Sequence, residues 1–313
     1  MGKYIFTKVY QLAIVLFGVT FLTFAITKAA PSDPAEMRYL SMGITPSPEL
    51  LEQTRIEMGL DKPFLVQYGN WLLGVLHGDL GVSTKYSEPV FTQMTKKIPG
   101  TLVLAGVSGL LMVAISFPIG ILTAVKKNKF IDYFIRVITF IGMSMPNFWL
   151  GLMLMYLFCV QLGWLSVISV NNPAGLILPV ATLVIHMASV YIRHIRTSIL
   201  EEMNSNYVIG ARARGIPERK IMWGHIIPNA LPTIITLIGL SIGGLLGGSA
   251  IIETLFSWQG IGNMVVEAIR VRDYQLIQGY VIWMAIIYVV VNLIVDILYR
   301  VLDPQLRLKR RVD

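Results

Sequence analysis

Long runs without a single Asp, Glu, Lys or Arg restrict what this chain can fold into. The runs occupy 9–27, 98–125, 137–192, 221–252 and 274–295. Each is long enough for the about 20 residues that cross a bilayer as a helix. The composition agrees, because only 14% of the residues are charged, against roughly 25% in soluble domains. The sequence therefore predicts an all-α integral membrane protein and excludes an ordinary soluble enzyme.

The third run is about twice as long as a single span needs. Pro173 and the turn-forming pair Asn171-Asn172 divide it into two spans, which brings the predicted number of transmembrane helices to six. The first run is interpreted as a retained helix and not as a cleaved signal peptide, because Lys28 stands where a small-residue cleavage site would have to be.

Lys and Arg predict the orientation, because cytoplasmic segments carry an excess of them. They gather at the amino terminus (Lys3 and Lys8) and in 126–136, 193–220 and 300–311. We therefore expect both termini to be cytoplasmic. The predicted regions are an N-terminal transmembrane helix (1–28), an extracytoplasmic segment (29–98), a five-helix core (99–300) with a cytoplasmic loop (198–228), and a basic cytoplasmic tail (301–313).

Sequence traces of catalysis are missing. The chain has no His-Glu-x-x-His pair, no Gly-x-Ser-x-Gly elbow and no phosphate-binding Gly-x-x-x-x-Gly-Lys loop, and Cys159 is its one cysteine. We expect no enzyme activity and no bound cofactor, so any nucleotide chemistry would belong to another chain. The net charge of +8 is spread between the apolar runs, which predicts no nucleic-acid partner.

The cytoplasmic loop is the most informative segment. Tyr207–Arg214 suits a short helix that Gly215 ends, and Pro217 then begins a second short helix. Such an elbow has two interpretations. Its arginines could pair with lipid phosphates, or it could be a rigid docking knob through which a soluble partner pushes on two spans.

The sequence resembles the transmembrane permease subunits of ATP-binding-cassette (ABC) importers, in the branch that carries peptides and nickel. The resemblance rests first on Tyr207, Ala211-Arg212-Ala213-Arg214-Gly215 and Pro228-Asn229-Ala230. Further matching pieces lie at 59–63, 67–68, 77–83, 144–149, 252–258, 260–262 and 272–274. The general importer signature opens with Glu-Ala-Ala, whereas Ile209-Gly210-Ala211 stands here, and the peptide and nickel branch commonly lacks that Glu.

The resemblance implies a type I importer permease fold in a bacterial inner membrane, with the elbow as the coupling helix. It also implies four kinds of partner. These are a second, similar permease subunit, two ATPase subunits that bind ATP and Mg²⁺, an extracytoplasmic solute-binding protein, and membrane lipid. The coupling residues would be Tyr207, Ala211, Arg212, Ala213, Arg214, Gly215, Pro228 and Asn229.

Candidates for the translocation pathway are Met145, Asn147, His186, Gly243 and Gly247. Polar groups inside a span need partners, and a glycine row lets helices approach closely, so a packing role is the alternative for each. His186 is also the candidate for a transient metal ligand.

The outer gate and the surface that meets the binding protein have their own candidates. The resemblance and the position outside the spans select Asp79, Glu253, Trp258, Gly260 and Asp273. The resemblance implies gating or docking for this region, and for Asp79 and Glu253 the alternatives are a structural or a docking carboxylate.

Nickel, carried as a chelate, is the predicted cargo. The prediction rests on 146–150, read as a short outer connection between spans, and on Thr45-Pro46 and Pro48-Glu49 before Gly59-Leu60-Asp61. The alternative is a dipeptide or oligopeptide, with metallophores and glutathione-like peptides also compatible. A stand-alone channel or an intramembrane enzyme is the more distant alternative.

Overall fold

A computed structural model describes residues 2–30, 33–40, 43–166 and 173–302. Within these ranges the chain is helical, and an isolated bridge between Val82 and Pro89 is the sole β feature. The helices are α1 (Gly2–Ala29), α2 (Pro34–Leu40), α3 (Pro48–Glu57), α4 (Phe64–Leu76), α5 (Val90–Val125), α6 (Phe130–Ser144), α7 (Asn147–Met155), α8 (Ile177–Met203), α9 (Asn206–Ala213), α10 (Glu218–Ile221), α11 (Ile227–Leu255), α12 (Ile261–Val271) and α13 (Tyr274–Leu302). The predicted all-α class is confirmed.

Five stretches of the described chain are long and apolar enough to cross a bilayer. They are Tyr10–Ala29, Val90–Val125, Ala174–Met203, Glu218–Leu245 and Tyr274–Val295. A sixth span arises if α6 and the helix that follows it, Asn147–Gln161, are counted together. The structure thus agrees with six predicted spans on that count, while the side of the membrane on which each terminus lies stays a prediction.

The two halves of this sixth span meet at an angle of 101°. Met145 has an extended backbone (φ −83°, ψ 130°), as expected for a residue directly before proline, because the proline ring disfavours the helical region there. Pro146 also has no N–H to donate to the preceding turn. The sequence predicted an interruption here in the form of an outer connection at 146–150, and that form is wrong, since α7 begins at Asn147.

Two other expectations concern residues outside the described ranges. Asn171 and Asn172, the predicted connection, are not among the described residues, although the 3₁₀ turn Pro173–Leu176 leads directly into α8. Of the predicted tail at 301–313, only the last two residues of α13 are described. The predicted region boundaries stay predictions.

The first of two compact units comprises Met1–Thr101 and Gln259–Val289. An aromatic cluster joins α1 to α4, with the rings of Phe24 and Tyr68 5.6 Å apart and those of Phe24 and Trp71 5.5 Å apart. The Tyr68 phenol shares a buried 3.0 Å hydrogen bond with Thr20. Aromatic pairs at these separations stabilise beyond their buried area, so α4 is fixed to α1.

The second compact unit comprises Leu102–Trp258 and Val290–Asp313, and α8 lies at its centre. Helices α6, α7 and α11 all pack against α8. Its contacts are close because glycines face it. A Cβ on Gly120 would lie 2.6 Å from Ile195, and one on Gly151 would lie 3.4 Å from Thr182. α8 is therefore the element on which the rest of this unit is arranged.

We expect Gly120→Ala to destabilise the protein, because the new methyl group would overlap Ile195 and press on the Ile192 carbonyl, 3.2 Å away. Overpacking of this kind costs about 1–3 kcal/mol. Thermal unfolding of the purified full-length protein in detergent should show a lower Tm. The matched control is Gly109→Ala in the same helix, where nothing lies within 4 Å. Equal Tm values for the two variants would contradict this packing.

Candidate functional site

The elbow between α8 and α11 is shorter than its predicted range of 198–228. α8 continues to Met203, and α10 runs through a π-helical turn (Met222–Ile226) into α11 without a break. The connection is therefore 204–217, with α9 inside it. The predicted short helix Tyr207–Arg214 is confirmed to within one residue, and the second one begins after Pro217 as predicted. Pro228 and Asn229, expected in the loop, lie in the first turn of α11.

Gly215 makes the turn of the elbow. Its φ of +76° lies in the left-handed region, which glycine reaches without steric cost. The amide of Ile216 donates to the carbonyl of Ala211 at 3.2 Å, and the amide of Gly215 donates to Arg212 at 2.9 Å. These two bonds are the Schellman pattern that closes a helix carboxyl end, so the direction of the chain after α9 is fixed.

An ion pair joins the two sides of this turn. Arg212 Nε lies 2.6 Å from Glu218 Oε1, and the Nη2 of the same guanidinium lies 3.3 Å from Oε2. Arg212 also donates to the carbonyl of Met203 at 3.4 Å. Because an exposed pair contributes little stability by itself, its effect here is geometric: it holds α9 and α10 at one angle.

Tyr207 connects the elbow to both flanking spans. Its phenol donates to Glu202 at the end of α8 at 2.5 Å and hydrogen-bonds the side chain of Asn229 in α11. Burial raises the pKa of this phenol, and the bond to Glu202 raises it further. The structure thus brings together Tyr207 and Asn229, two of the predicted coupling residues.

The inner face of α9 is apolar and buried. Val208 and Ala211 pack in one cluster with Ile195 and Ile199 of α8 and with residues of α11 such as Ile234. The outer side is exposed, and we call it the elbow surface; it consists of Tyr207, Ile209, Ala213, Arg214, Arg219, Lys220 and Trp223. Arg214, Arg219 and Lys220 form no ion pair with any described residue, so the surface presents uncompensated positive charge beside an exposed Trp223.

The polar pathway candidates lie along the packed side of α8. Asn147 begins α7 directly after the bend at Met145, and His186 lies in α8 between Thr182, which faces Gly151, and Ser189, which faces Gly142. The Oδ1 of Asn147 and the Nδ1 of His186 are buried, and neither has a hydrogen-bond partner within the described ranges. The structure therefore leaves two polar atoms of the candidate set unsatisfied.

The glycine row of α11 is divided between two environments. A Cβ on Gly239 would overlap Val295 of α13, so this position packs inside the unit. Gly244 and Gly247 have nothing within 4 Å, and Gly243 is partly exposed. The predicted positions at Gly243 and Gly247 are thus on a part of α11 with free space beside it.

Two of the outer candidates are buried carboxylates, and the gate or docking role of the whole set stays a prediction. Asp273 is fully buried and accepts hydrogen bonds from the Ser83 hydroxyl at 2.5 Å and the Lys85 amide at 3.1 Å. Glu253 is also fully buried and accepts from Ser249 at 3.3 Å. These carboxylates stabilise local structure, because a buried ionisable group needs such partners.

The other three outer candidates differ from one another. Gly260 is buried as the N-cap of α12, and Trp258 packs against the core that surrounds α8. Asp79 is exposed and accepts from the Gly81 amide at 2.8 Å. Of the five outer candidates, Asp79 is therefore the one that presents a carboxylate to solvent.

Sequence reasoning missed two ion pairs. Asp132, fully buried, receives two 2.8 Å hydrogen bonds from the guanidinium of Arg196. Lys85 pairs with Glu267, whose pKa this contact lowers. A signal for the first pair was present, since Asp132 stands alone as an acid within the basic segment 126–136. The second pair joins residues too far apart in sequence to be recognised.

Similarity to known proteins extends over almost the whole chain. Residues 116–308 match the family described as binding-protein-dependent transport system inner membrane component, and residues 1–105 match the N-terminal region of such components. The oligopeptide transport system permease protein AppB of Bacillus subtilis is 37% identical over 98% of this chain and 99% of its own. The dipeptide transport system permease protein DppB of Escherichia coli is 35% identical over 94% and 95%.

Solved structures agree on the fold. The inward-facing MetNI methionine ABC transporter has a chain with a TM-score of 0.56 and 21% identity, which covers 69% of this chain and 99% of its own. An amino acid ABC transporter crystallised with histidines gives a TM-score of 0.52 and 21% identity over 67% and 92%. Fold, helices and full-length similarity together establish that this chain belongs to the family of binding-protein-dependent transport system inner membrane components, the multi-pass permease subunits of ABC importers.

Proposed function

We propose that this permease subunit carries dipeptides or oligopeptides. The observation that carries the proposal is the similarity over almost the full chain to relatives named for oligopeptide and dipeptide transport. This favours the alternative cargo over nickel. The segment 146–150, which pointed to nickel when taken as a connection, is helical from Asn147. The described residues also contain no group of three or more His, Cys, Asp or Glu placed to hold a metal, so His186 belongs to no such group there.

The proposed assembly contains a second permease subunit, two ATPase subunits that bind ATP and Mg²⁺, and an extracytoplasmic binding protein. The family's description as binding-protein-dependent transport supports the last of these. In this assembly the present subunit performs no bond chemistry. Its contribution is a pathway whose access changes as ATP shifts the equilibrium between two conformations.

The elbow surface is the proposed contact with an ATPase subunit. Arg214, Arg219 and Lys220 favour an acidic or polar groove, and the exposed Trp223 suits a pocket at its centre. The Gly215 turn and the pair of Arg212 with Glu218 make the elbow stiff. Because its buried side belongs to one cluster with α8 and α11, a displacement of the elbow acts on both spans together.

The proposed pathway includes Asn147 and His186. A buried polar atom without a partner costs about 1–3 kcal/mol, and both residues carry one. Amide groups of a passing peptide, or water that accompanies it, would supply the missing hydrogen bonds. The bend at Met145 and Pro146 brings backbone that is not helical to the same place, which a membrane protein tolerates beside protein or a water-filled cavity.

Uptake assays on the complete transporter in proteoliposomes should distinguish the cargoes. We expect ATP-dependent, binding-protein-dependent accumulation of a labelled dipeptide. We expect ⁶³Ni²⁺, offered with and without small chelators, to stay at the level of vesicles without ATP. Accumulation of nickel without accumulation of peptide would overturn the proposed cargo but leave the family assignment intact.

Arg214→Glu should reduce ATP-dependent uptake at least tenfold, because it places a negative charge where the elbow surface meets the ATPase. The loss should come with weaker retention of the ATPase subunits during purification. Arg270→Glu is the matched control, since Arg270 is an exposed arginine in α12, outside the elbow. Normal uptake and normal subunit retention in Arg214→Glu would contradict the proposed contact.

His186→Phe should lower the rate of peptide uptake without lowering the Tm of the complex, because it removes an unsatisfied polar atom and keeps most of the side-chain volume. His194→Phe, an exposed position on the same helix, is the control, and Asn147→Leu is a second test of the same kind. A lower Tm with unchanged uptake would assign both residues to packing.

A further inference from the structure

A pocket of about 560 Å³ lies between α6 and α8. Three arginines line it, Arg136 from α6 and Arg193 and Arg196 from α8, and the remaining wall is Tyr133, Val137, Phe140 and Thr197. None of the functions discussed above uses this pocket. It combines guanidinium groups with aromatic and aliphatic side chains.

The pocket has more positive charge than the protein neutralises. Asp132 is the acid beside it, and its two oxygens accept 2.8 Å bonds from Arg196 and a 3.0 Å bond from the amide of Asn128. Arg136 and Arg193 form no ion pair within the described part of the chain. Arg136 instead lies over the ring of Tyr133, 5.6 Å from its centroid. One nitrogen of Arg193 donates to the uncharged sulfur of Met143 at 2.6 Å, so the charges of Arg136 and Arg193 remain for an external anion.

The ion pair of Asp132 with Arg196 orients one of the three arginines before any ligand binds. Because the buried Asp132 holds Arg196 by two bonds, that guanidinium stays in place whether or not a ligand is present. The wall of α6 beside the arginines is exposed, with Tyr133 at 54%, Val137 at 58% and Phe140 at 64%. Such a site provides charge at one end and an apolar surface along its length.

The position along the spans points to the depth of lipid headgroups. Arg136 is in the second turn of α6, directly after the basic connection 126–129, and Arg193 and Arg196 precede the elbow at the end of α8. Farther along α6 from Arg136, Ile138 and Ile141 are apolar and exposed. Basic pockets between helices at this depth bind anionic headgroups.

We propose that this pocket binds the phosphate of an anionic glycerophospholipid, such as phosphatidylglycerol or cardiolipin. Arg136 and Arg193 donate to the phosphate oxygens, which match the planar fork of a guanidinium. The acyl chains lie along Val137, Phe140 and the exposed face of α6. The bound lipid then ties α6 to α8 on the side that leads to the elbow.

The test uses the complete transporter in detergent, with phosphatidylglycerol or phosphatidylcholine of the same acyl chains added and bound lipid counted by native mass spectrometry. We expect preferential retention of phosphatidylglycerol and an at least tenfold loss of that preference in the double variant Arg136→Gln with Arg193→Gln. The double variant Arg270→Gln with Arg272→Gln removes the same two charges from exposed positions outside the pocket and should retain the preference. Inorganic phosphate at millimolar concentration should not displace the lipid.

Each other outcome overturns the proposal. Equal retention of both lipids by the unaltered transporter would show no anionic site, and an unchanged preference for phosphatidylglycerol in the double variant would place the site elsewhere. Displacement by inorganic phosphate would assign the pocket to a free anion. A photo-crosslinker placed at Phe140 that captures the second permease subunit in place of lipid would show that a protein covers it. None of these readouts depends on the transported cargo.

Discussion

Every backbone N–H and C=O inside the apolar layer of a membrane must find its partner within the protein, and the architecture follows from this requirement. Continuous helices satisfy it in α5, α8 and α13. The bend after Ser144 does not, because Pro146 has no N–H and Met145 is extended. Such a break is tolerated where neighbouring structure covers it, and α6 and α7 both pack on α8 at this point. The break between α6 and α7 therefore depends on the packing of both helices against α8.

Polar side chains in the apolar layer also need hydrogen-bond partners, and two residues of α8 differ in whether they have them. Near one end of α8, Arg196 and the buried Asp132 satisfy each other with two hydrogen bonds. Near its middle, His186 keeps an atom without a partner among the described residues, as does Asn147 at the start of α7. Removing Arg196 or Asp132 would leave a buried charge without its partner. In His186 and Asn147, by contrast, the native protein already has buried polar atoms without hydrogen bonds, which lowers its stability. The pair of Arg196 and Asp132 therefore fits a structural role, whereas the unsatisfied atoms of His186 and Asn147 are suited to hydrogen bonds with a passing ligand.

The sequence predicted what local chemistry determines. The limits of the apolar runs located the spans, and Gly215 between two short helical segments located the turn of the elbow, since both signals lie within a few neighbouring residues. An interruption at 146–150 was predicted but the 101° bend was not, because the run has no charge there to show whether the helix ends or bends. The burial of Asp273 could not be predicted, because it depends on Ser83, which lies 190 residues away in sequence. Contacts of that kind leave no local pattern.

The elbow is rigid on the side of α8 and can bend on the side of α11, and this difference determines how it can transmit motion. The Schellman turn at Gly215 and the bond from Arg212 to Glu218 make α9 and α10 one piece, and the shared apolar cluster joins that piece to α8. The next segment, Met222–Ile226, is a π-helical turn, and Pro232 interrupts the hydrogen bonds of α11 shortly afterwards. A helix bends most easily at such points. If a partner moves the elbow, α8 must follow it, whereas α11 has two places at which its membrane part can change direction. The glycine positions with open space beside them, Gly244 and Gly247, lie beyond both places, so a change of direction there alters the width of the space that they face.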